Sequence, residues 1–372
     1  MPKPFDVCIR GSGIVGRTLA LLLAGERLRV GLVAAPSDHP GATVDVRAYA
    51  LNAASRSLLE SLRCWPDDAN ATGVLGMRIC GDGDGEVNFR AADQGTPALA
   101  WIVDVASLQA RLAEAIRYQP LVEELTEPQT ADLTVVCEGK TSRTRTEFGV
   151  DFDVTPYGQL AIAARVTCEN PHAQMAHQWF ANGEILAFLP LNGAAGNSVA
   201  LVWSVMEERA APLLSMSPDE FTQALEVASH GALGRLTLNS ERASWPLQLA
   251  RADRWVGSMQ GNSWALAGDA AHTVHPLSGQ GLNLGLADVG KLAQVLKKRD
   301  SWRNVGDRKV LRQYERTRKS DVLPVGFVTD GLQQLFARNA APWQALRNWG
   351  MTGFDRSGPV KAWVVSEAMG SR

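Results

Sequence analysis

Hydrophobic and polar positions along the chain change period several times, and each change marks an element. Residues 6–10 (DVCIR) form a short β-leaning run, followed by the glycine-rich turn GSGIVG at 11–16. An apolar helix-forming run covers 15–24, and a second strand-like run, LRVGLVA, covers 28–34. Strand, glycine turn, helix and strand in that order predict a βαβ unit. A hairpin is predicted over 77–89, with the turn at 81–85, and Leu108, Leu112, Ala115 and Ile116 have the spacing of a helix over 105–118.

The pattern then turns to strands. LAIAARVTC, ILAFLPL and VALVWSV lie between 160 and 205, separated by turns rich in Pro or Gly. A helix follows at 218–228, and strand-like sequence runs through 236–250. The last third is helical. Leu282, Leu286, Val289, Ala293 and Leu296 form one apolar face, and Val328, Leu332, Leu335 and Phe336 a second. The pattern predicts an α/β chain in which a GxGxxG, Rossmann-like domain (1–75, 96–150 and 251–300) is interleaved with a mainly antiparallel β-sheet domain (76–95 and 151–250). A helical C-terminal region (301–372) completes it.

Composition narrows the class. The 372 residues carry 37 Lys and Arg against 39 Asp and Glu, a formal charge of -2, with 45% hydrophobic residues. That balance argues against a disordered chain and against a basic field for nucleic acid. No run of apolar residues is long enough for a transmembrane helix, and strand-like sequence begins too early to leave room for a signal peptide. Five scattered cysteines suggest no disulfide framework and point to a reducing cytosol.

The glycine turn has a physical logic. Gly11 permits a tight turn, Gly13 lets the backbone approach a pyrophosphate, and Gly16 allows helix and strand to pack closely. An acid is expected at the end of the second strand to bind ribose, but the chain reads Val33-Ala34-Ala35, with no acid before Asp38. A second candidate segment is WALAGDAAHTVHPLSGQGLNLGLAD at 264–288. Its strand ends at Gly268-Asp269, and Gly279-Gln280-Gly281 opens a helix whose first N–H groups are unpaired. His272 and His275 lack companion ligands apart from Asp269, so hydrogen bonding is expected of them and no metal.

GSGIVG, DVRAYAL at 45–51, EGKTSRTR at 138–145 and GDAAHTVHPLSGQGLNLG at 268–285 occur in that order. Together they resemble the single-component FAD-dependent aromatic hydroxylases of the para-hydroxybenzoate hydroxylase fold, and most of all their ubiquinone-biosynthesis branch. The resemblance implies that Gly11, Gly13 and Gly16 hold the FAD pyrophosphate, with Arg47 and Gln109 near the phosphates. Asp269 would bind the ribityl chain, Pro276 would lie beside the flavin, and Gly279, Gln280, Gly281 and Asn283 would surround its ring.

Two departures stand out against that resemblance. Glu138 replaces the family's Asp, which puts NAD(P)H use in question, and only residues 113–132 lie where relatives insert a β-meander. The implied reaction hydroxylates an aromatic ring, a prenylated phenol, through a flavin hydroperoxide, with O2 and with NAD(P)H as transient donor. It calls for an apolar chamber, with Phe188, Leu189, Leu191 and Trp203 as candidate walls. No catalytic base is identified. A cytoplasmic enzyme with peripheral contact to the inner membrane or to a biosynthetic complex follows from a greasy substrate. The alternative, motivated by Glu138 and the missing ribose acid, is a catalytically degenerate homologue that binds a lipid-like aromatic or scaffolds a complex.

Overall fold

The computed structural model describes residues 4–34, 45–81, 85–274 and 280–337, with side chains as far as Val322. Asp38, His275, Pro276, Gly279 and part of the 81–85 turn fall outside the described residues, as do the side chains of the face built on Val328. The chain runs β1 (Phe5–Arg10), α1 (Ile14–Gly25), β2 (Val30–Val33), β3 (Ala48–Leu51), α2 (Ala53–Ser61), β4 (Ala71–Val74), β5 (Gly76–Cys80), β6 (Glu86–Arg90) and β7 (Ala100–Asp104). It continues with α3 (Val105–Arg117), β8 (Val122–Leu125), β9 (Ala131–Val136), α4 (Arg143–Glu147), β10 (Phe152–Cys168), β11 (Met175–Ala181), β12 (Glu184–Leu191) and β13 (Ser198–Met206). Then come α5 (Glu207–Ser215), α6 (Pro218–Ala228), β14 (Leu236–Leu238), β15 (Ala243–Ala252), β16 (Val256–Met259), β17 (Asn262–Leu266), β18 (His272–Thr273), α7 (Gly281–Lys297) and α8 (Arg308–Ala337).

Strands β16-β17-β9-β1-β2-β8 form one sheet, parallel except for the β16–β17 pair. The inner strands of a helix-covered parallel sheet are mostly apolar, and all four residues of β2 are buried, while the edge strand β8 exposes Glu123 and Glu124. From β1 the chain moves one way to β2 and the other way to β9, which opens a crevice at the carboxyl ends of the strands. The glycines set how closely α1 meets this edge. A Cβ on Gly16 would lie 1.8 Å from the Gly11 carbonyl oxygen, and one on Gly11, at φ +111, would lie 2.4 Å from that of Cys137. β8 ends at Leu125 and β9 begins at Ala131, so the chain passes directly between them with no meander.

The second sheet has nine strands, with β18-β15-β10-β13-β12-β11-β5-β6 in order and β14 beside β10. Its pairs are antiparallel except β11 with β5. Side chains alternate across it. Ile162, Phe188, Leu201 and Trp203 face α5 and α6 and pack with Phe221 and Leu225. Leu191, Ala176 and Ala200 face the opposite way, onto Ala48, Val74 and Ile102 of the small sheet β3-β7-β4. β10 begins earlier than the sequence pattern suggested, because Pro156 and Gly158 mask its first half. The register shifts between Pro156 and Leu160, and Gly158 turns at φ +66. Arg165 ties this sheet to the small one, pairing with Asp104 at the end of β7 and donating to the Val46 carbonyl, just before β3, at 3.1 Å.

The glycine packing is testable. Gly16→Ala places a methyl group against backbone that cannot yield, and a loss of about 3 kcal/mol or more is expected in urea unfolding. Gly13→Ala, whose Cβ would meet no atom within 4 Å, should unfold like the parent. Equal stability of the two variants would contradict the packing argument.

Candidate functional site

Three strand ends converge at the crevice. Gly11 follows β1, Cys137 and Glu138 follow β9, and Gly268 and Asp269 follow β17. The N-cap of α1 is Gly13, with no side-chain cap. The first bond of the helix, from Arg17 N to Gly13 O at 3.0 Å, leaves the N–H groups of Ile14, Val15 and Gly16 without helical acceptors. The space over Gly13 is open, so a diphosphate can approach these donors.

Asp269 is open to solvent, yet protein crowds it on nearly every side, as expected of a side chain at the floor of a crevice. Burial pushes its carboxyl above the ordinary value, against the pull of His272, Lys140 and Arg47. Arg47 is held by Asp45 through Nε at 2.8 Å and Nη2 at 2.6 Å, and its Nη1 donates to the Tyr49 hydroxyl at 3.3 Å. Asp45 keeps the guanidinium firmly protonated. Arg47, Tyr49 and Asp269 thus share one electrostatic environment. Gln109 lies on α3, and its carbonyl accepts from Arg17 Nη1 at 3.2 Å.

Glu138 is committed to its own loop. Its carboxylate accepts from Ser142 Oγ at 2.7 Å, Thr144 Oγ1 at 2.6 Å and Thr144 N at 3.1 Å. The longer Glu side chain therefore ties down the start of α4. Arg145 braces the same loop from below. It donates to the carbonyls of Ala270 at 3.2 Å and Lys140 at 2.9 Å and lies 3.5 Å over the Phe152 ring.

Beneath the Gly268-Asp269 loop lies a charged network that the sequence pattern did not single out. Asp288 of α7 is 0% exposed. Its Oδ2 accepts from Gly268 N at 2.9 Å and from His272 Nε2 at 2.7 Å, and its Oδ1 accepts from Arg318 Nε at 2.8 Å. Since a carboxylate only accepts, the His272 proton in this bond sits on Nε2. Burial pushes the Asp288 carboxyl up, but His272 and Arg318 outweigh it and hold the group below the ordinary value. The His272 ring stacks on Trp255 with centroids 4.9 Å apart. Trp255 N donates to Glu315 at 2.8 Å, and Tyr314 Oη donates to the Leu266 carbonyl at 2.7 Å. His272 is thus a structural hydrogen-bonding group. The signal for Asp288 was an acid on the apolar stripe of α7, beside Leu286 and Val289.

At the start of α7, the first helical bond runs from Leu284 N to Gln280 O at 2.9 Å, which leaves Gly281, Leu282 and Asn283 with free helical N–H groups. The Asn283 side chain is spent on protein. Its Nδ2 donates to Ala50 O at 2.8 Å, and its Oδ1 accepts from Asn52 N at 3.0 Å and Ser55 Oγ at 2.7 Å. For a ligand it retains only its main chain.

The four proposed chamber walls do not share a surface. Phe188 and Trp203 point into the helix-covered core. Leu189 and Leu191 point the other way, but they pack into the layer between the two antiparallel sheets. Both faces of β12 and β13 are apolar, so alternation alone could not say which face meets a ligand. On the side away from α5 and α6, Ala163, Val202, Ala187 and Gln178 form one cross-strand row. Val202 and Ala187 sit in mid-sheet strands but stay partly exposed, which marks an open wall there. His172 is also structural, with Nε2 donating to Leu191 O at 2.7 Å and Nδ1 accepting from Gln174 N at 3.1 Å.

Asp288→Asn removes the buried countercharge of Arg318 and leaves it only the half-exposed Asp321, and a stability loss of about 3 kcal/mol is expected in denaturant unfolding. Because the Asp288 carboxyl is held low, the parent gains this stability above an unfolded carboxyl value of about 3.9. The gain is lost as pH falls through the lower folded value, so the gap between parent and variant should narrow in acid. A gap that is constant from neutral pH to pH 3 would contradict the ionic account.

The FAD binding domain model matches residues 104–323. The chain is 31% identical to the 3-demethoxyubiquinol 3-hydroxylase of Escherichia coli, over 99% of both proteins. It is 30% identical to the ubiquinone hydroxylase UbiL of Rhodospirillum rubrum, over 99% of this chain and 90% of that protein. Among solved structures, Pseudomonas aeruginosa PqsL in complex with 2-aminobenzoylacetate superposes with a TM-score of 0.76 at 21% identity, covering 94% of this chain and 99% of PqsL. The p-nitrophenol 4-monooxygenase PnpA of Pseudomonas putida gives 0.76 at 18% identity over the whole of both chains. The crevice of glycine turn, acid-tipped strand and open helix end belongs to a chain of the FAD binding domain family, in its branch of flavin-dependent ubiquinone-biosynthesis hydroxylases.

Proposed function

We propose that this enzyme hydroxylates the aromatic ring of a prenylated phenol, a ubiquinone precursor. The observation that carries the reading is the convergence of three strand ends and two uncapped helix starts on one crevice, in a chain whose full length matches a 3-demethoxyubiquinol 3-hydroxylase. When bound, FAD supplies oxygen activation and transfer of one oxygen atom to an electron-rich ring.

The chain's own residues bind and orient. Gly11, Gly13 and Gly16 admit the diphosphate to the N–H groups of α1, and Arg47 and Gln109 lie on its phosphate side. Asp269 accepts from the ribityl hydroxyls, and the N–H groups at Gly281 and Asn283, with Gln280, support negative charge on the pyrimidine edge. Pro276 and Gly279, outside the described residues, would lie beside the ring if the resemblance extends to them. Ala163, Val202, Ala187 and Gln178 replace the earlier candidates as the wall against which a substrate ring lies. Small side chains there leave room for a bulky aromatic, and the apolar wall excludes water.

In this reading 1–75, 96–150 and 251–300 hold the cofactor, 76–95 and 151–250 the substrate, and 301–372 is the helical C-terminal region. NAD(P)H is the proposed reductant. Glu138, tied to Ser142 and Thr144, would shape its approach and not bind it directly. A prenylated phenol partitions into lipid, so the reading carries with it contact with a membrane surface or a biosynthetic complex. Among the described residues no helix is long and apolar enough to cross a membrane.

Purified protein supplied with FAD, NADPH and a short-chain prenylated phenol should give a product heavier by one oxygen atom in mass spectrometry. Bound FAD with no product would favour the degenerate, scaffolding alternative. Asp269→Ala removes a charged acceptor, and FAD binding is expected to weaken by about 10- to 100-fold in fluorescence titration. Unchanged affinity would refute the role given to Asp269.

A further inference from the structure

Buried donors without acceptors are uncommon in folded proteins, and each asks for a partner. Arg17, on the first turn of α1, has a buried Nε with no hydrogen-bond partner. Among the described residues its one hydrogen bond is that from Nη1 to the main-chain carbonyl of Gln109 at 3.2 Å, and no carboxylate pairs with it. Other buried guanidinium groups are better served. Arg318 has Asp288 and Asp321, Arg165 has Asp104, and Arg145 has two carbonyls and an aromatic face. Arg10 also has an unpaired Nε, but its guanidinium is already engaged by Thr144 and Glu147. Arg17 alone of these combines a buried unpaired donor with a charge left without an anion.

Its position says which anion fits. Arg17 lies one residue beyond Gly16, on the helix whose free N–H groups face open space at Gly13. Its partner is the main chain of Gln109 on α3, a residue that the family resemblance puts near the phosphates. A planar guanidinium donates in a fork that matches two phosphate oxygens. We propose that Arg17 is a ligand of the FAD diphosphate and supplies the countercharge that retains the cofactor in a chain whose second strand ends without a ribose-binding acid. The proposal rests on FAD occupying this crevice. It accounts for a partly buried cation beside the Gln109 main chain that no carboxylate among the described residues neutralises.

The test titrates FAD and riboflavin separately into the apoprotein, following flavin fluorescence, for the parent, Arg17→Met and Arg17→Lys. Riboflavin carries no diphosphate. Arg17→Met should weaken FAD binding by about tenfold or more while riboflavin affinity stays within about twofold, and Arg17→Lys should recover part of the loss. Added salt should weaken FAD binding by the parent more than by Arg17→Met. Apo Arg17→Met should melt no lower than the parent, because no ion pair is lost. FAD affinity equal to the parent's would overturn the proposal, as would equal losses for FAD and riboflavin or a falling melting temperature that tracks the loss. If Arg17→Met does not fold, the comparison of Arg17→Lys with Arg17→Gln decides by the same criteria. A parent that binds neither flavin would instead sink the cofactor assignment, a result distinct from any of these.

Discussion

A carboxylate with no solvent contact stays ionised only with positive charge beside it, and Asp288 has an imidazole on one oxygen and a guanidinium on the other. Three parts of the chain distant in sequence meet in that cluster. Gly268 and His272 belong to the loop after β17, Asp288 to α7, and Arg318 to α8. The loop must turn sharply, with Gly268 at φ +63, to present Asp269 to the crevice. Its N–H is fixed by the same carboxylate that holds α8 in place. The candidate cofactor floor, the helix start at Gly281 and the long helix behind them therefore share one electrostatic anchor. Trp255 and Tyr314 close the cluster on its far side, so the low local dielectric makes each contact count for more and makes a missing partner costly.

The crevice departs from its family's pattern in ways the structure reconciles. Glu138 keeps the carboxylate of the middle motif but spends it on Ser142 and Thr144, so the change of length is absorbed inside the loop. The chain passes straight from β8 to β9, so no meander roofs this side. The second strand lacks its ribose acid, while Arg47 shares the electrostatic environment of Asp269 and Arg17 lies on the first turn of α1. Binding weighted toward the diphosphate and the ribityl chain is the natural reading of that distribution.

Much of the fold was legible. The βαβ start, the helix after Leu108 and the long apolar stripe of α7 all announce themselves through periodicity, because each buries one continuous face. The first half of β10 was not, since Pro156 and Gly158 read as a turn where the strand in fact bulges. α5 was hidden by Pro212, which sits inside it. The candidate site divides in the same way. Glycines and Asp269 are visible because their roles depend on local geometry. Asn283 was visible as a residue but not as a staple to Ala50 and Asn52, because its partners lie more than 200 positions away. The chamber walls could not be read from the sequence for a related reason. Alternation separates two faces of a strand, but when both are apolar only the tertiary fold says which one is open.

Asp288 locally fixes the loop that carries Asp269. Amide hydrogen exchange of the apoprotein, compared between the parent and Asp288→Asn under native conditions, tests it directly. Protection at Gly268 and its neighbours should fall sharply in the variant, while protection across β10, β12 and β13 stays as in the parent. Unchanged protection at Gly268, or an even loss across both sheets, would contradict it.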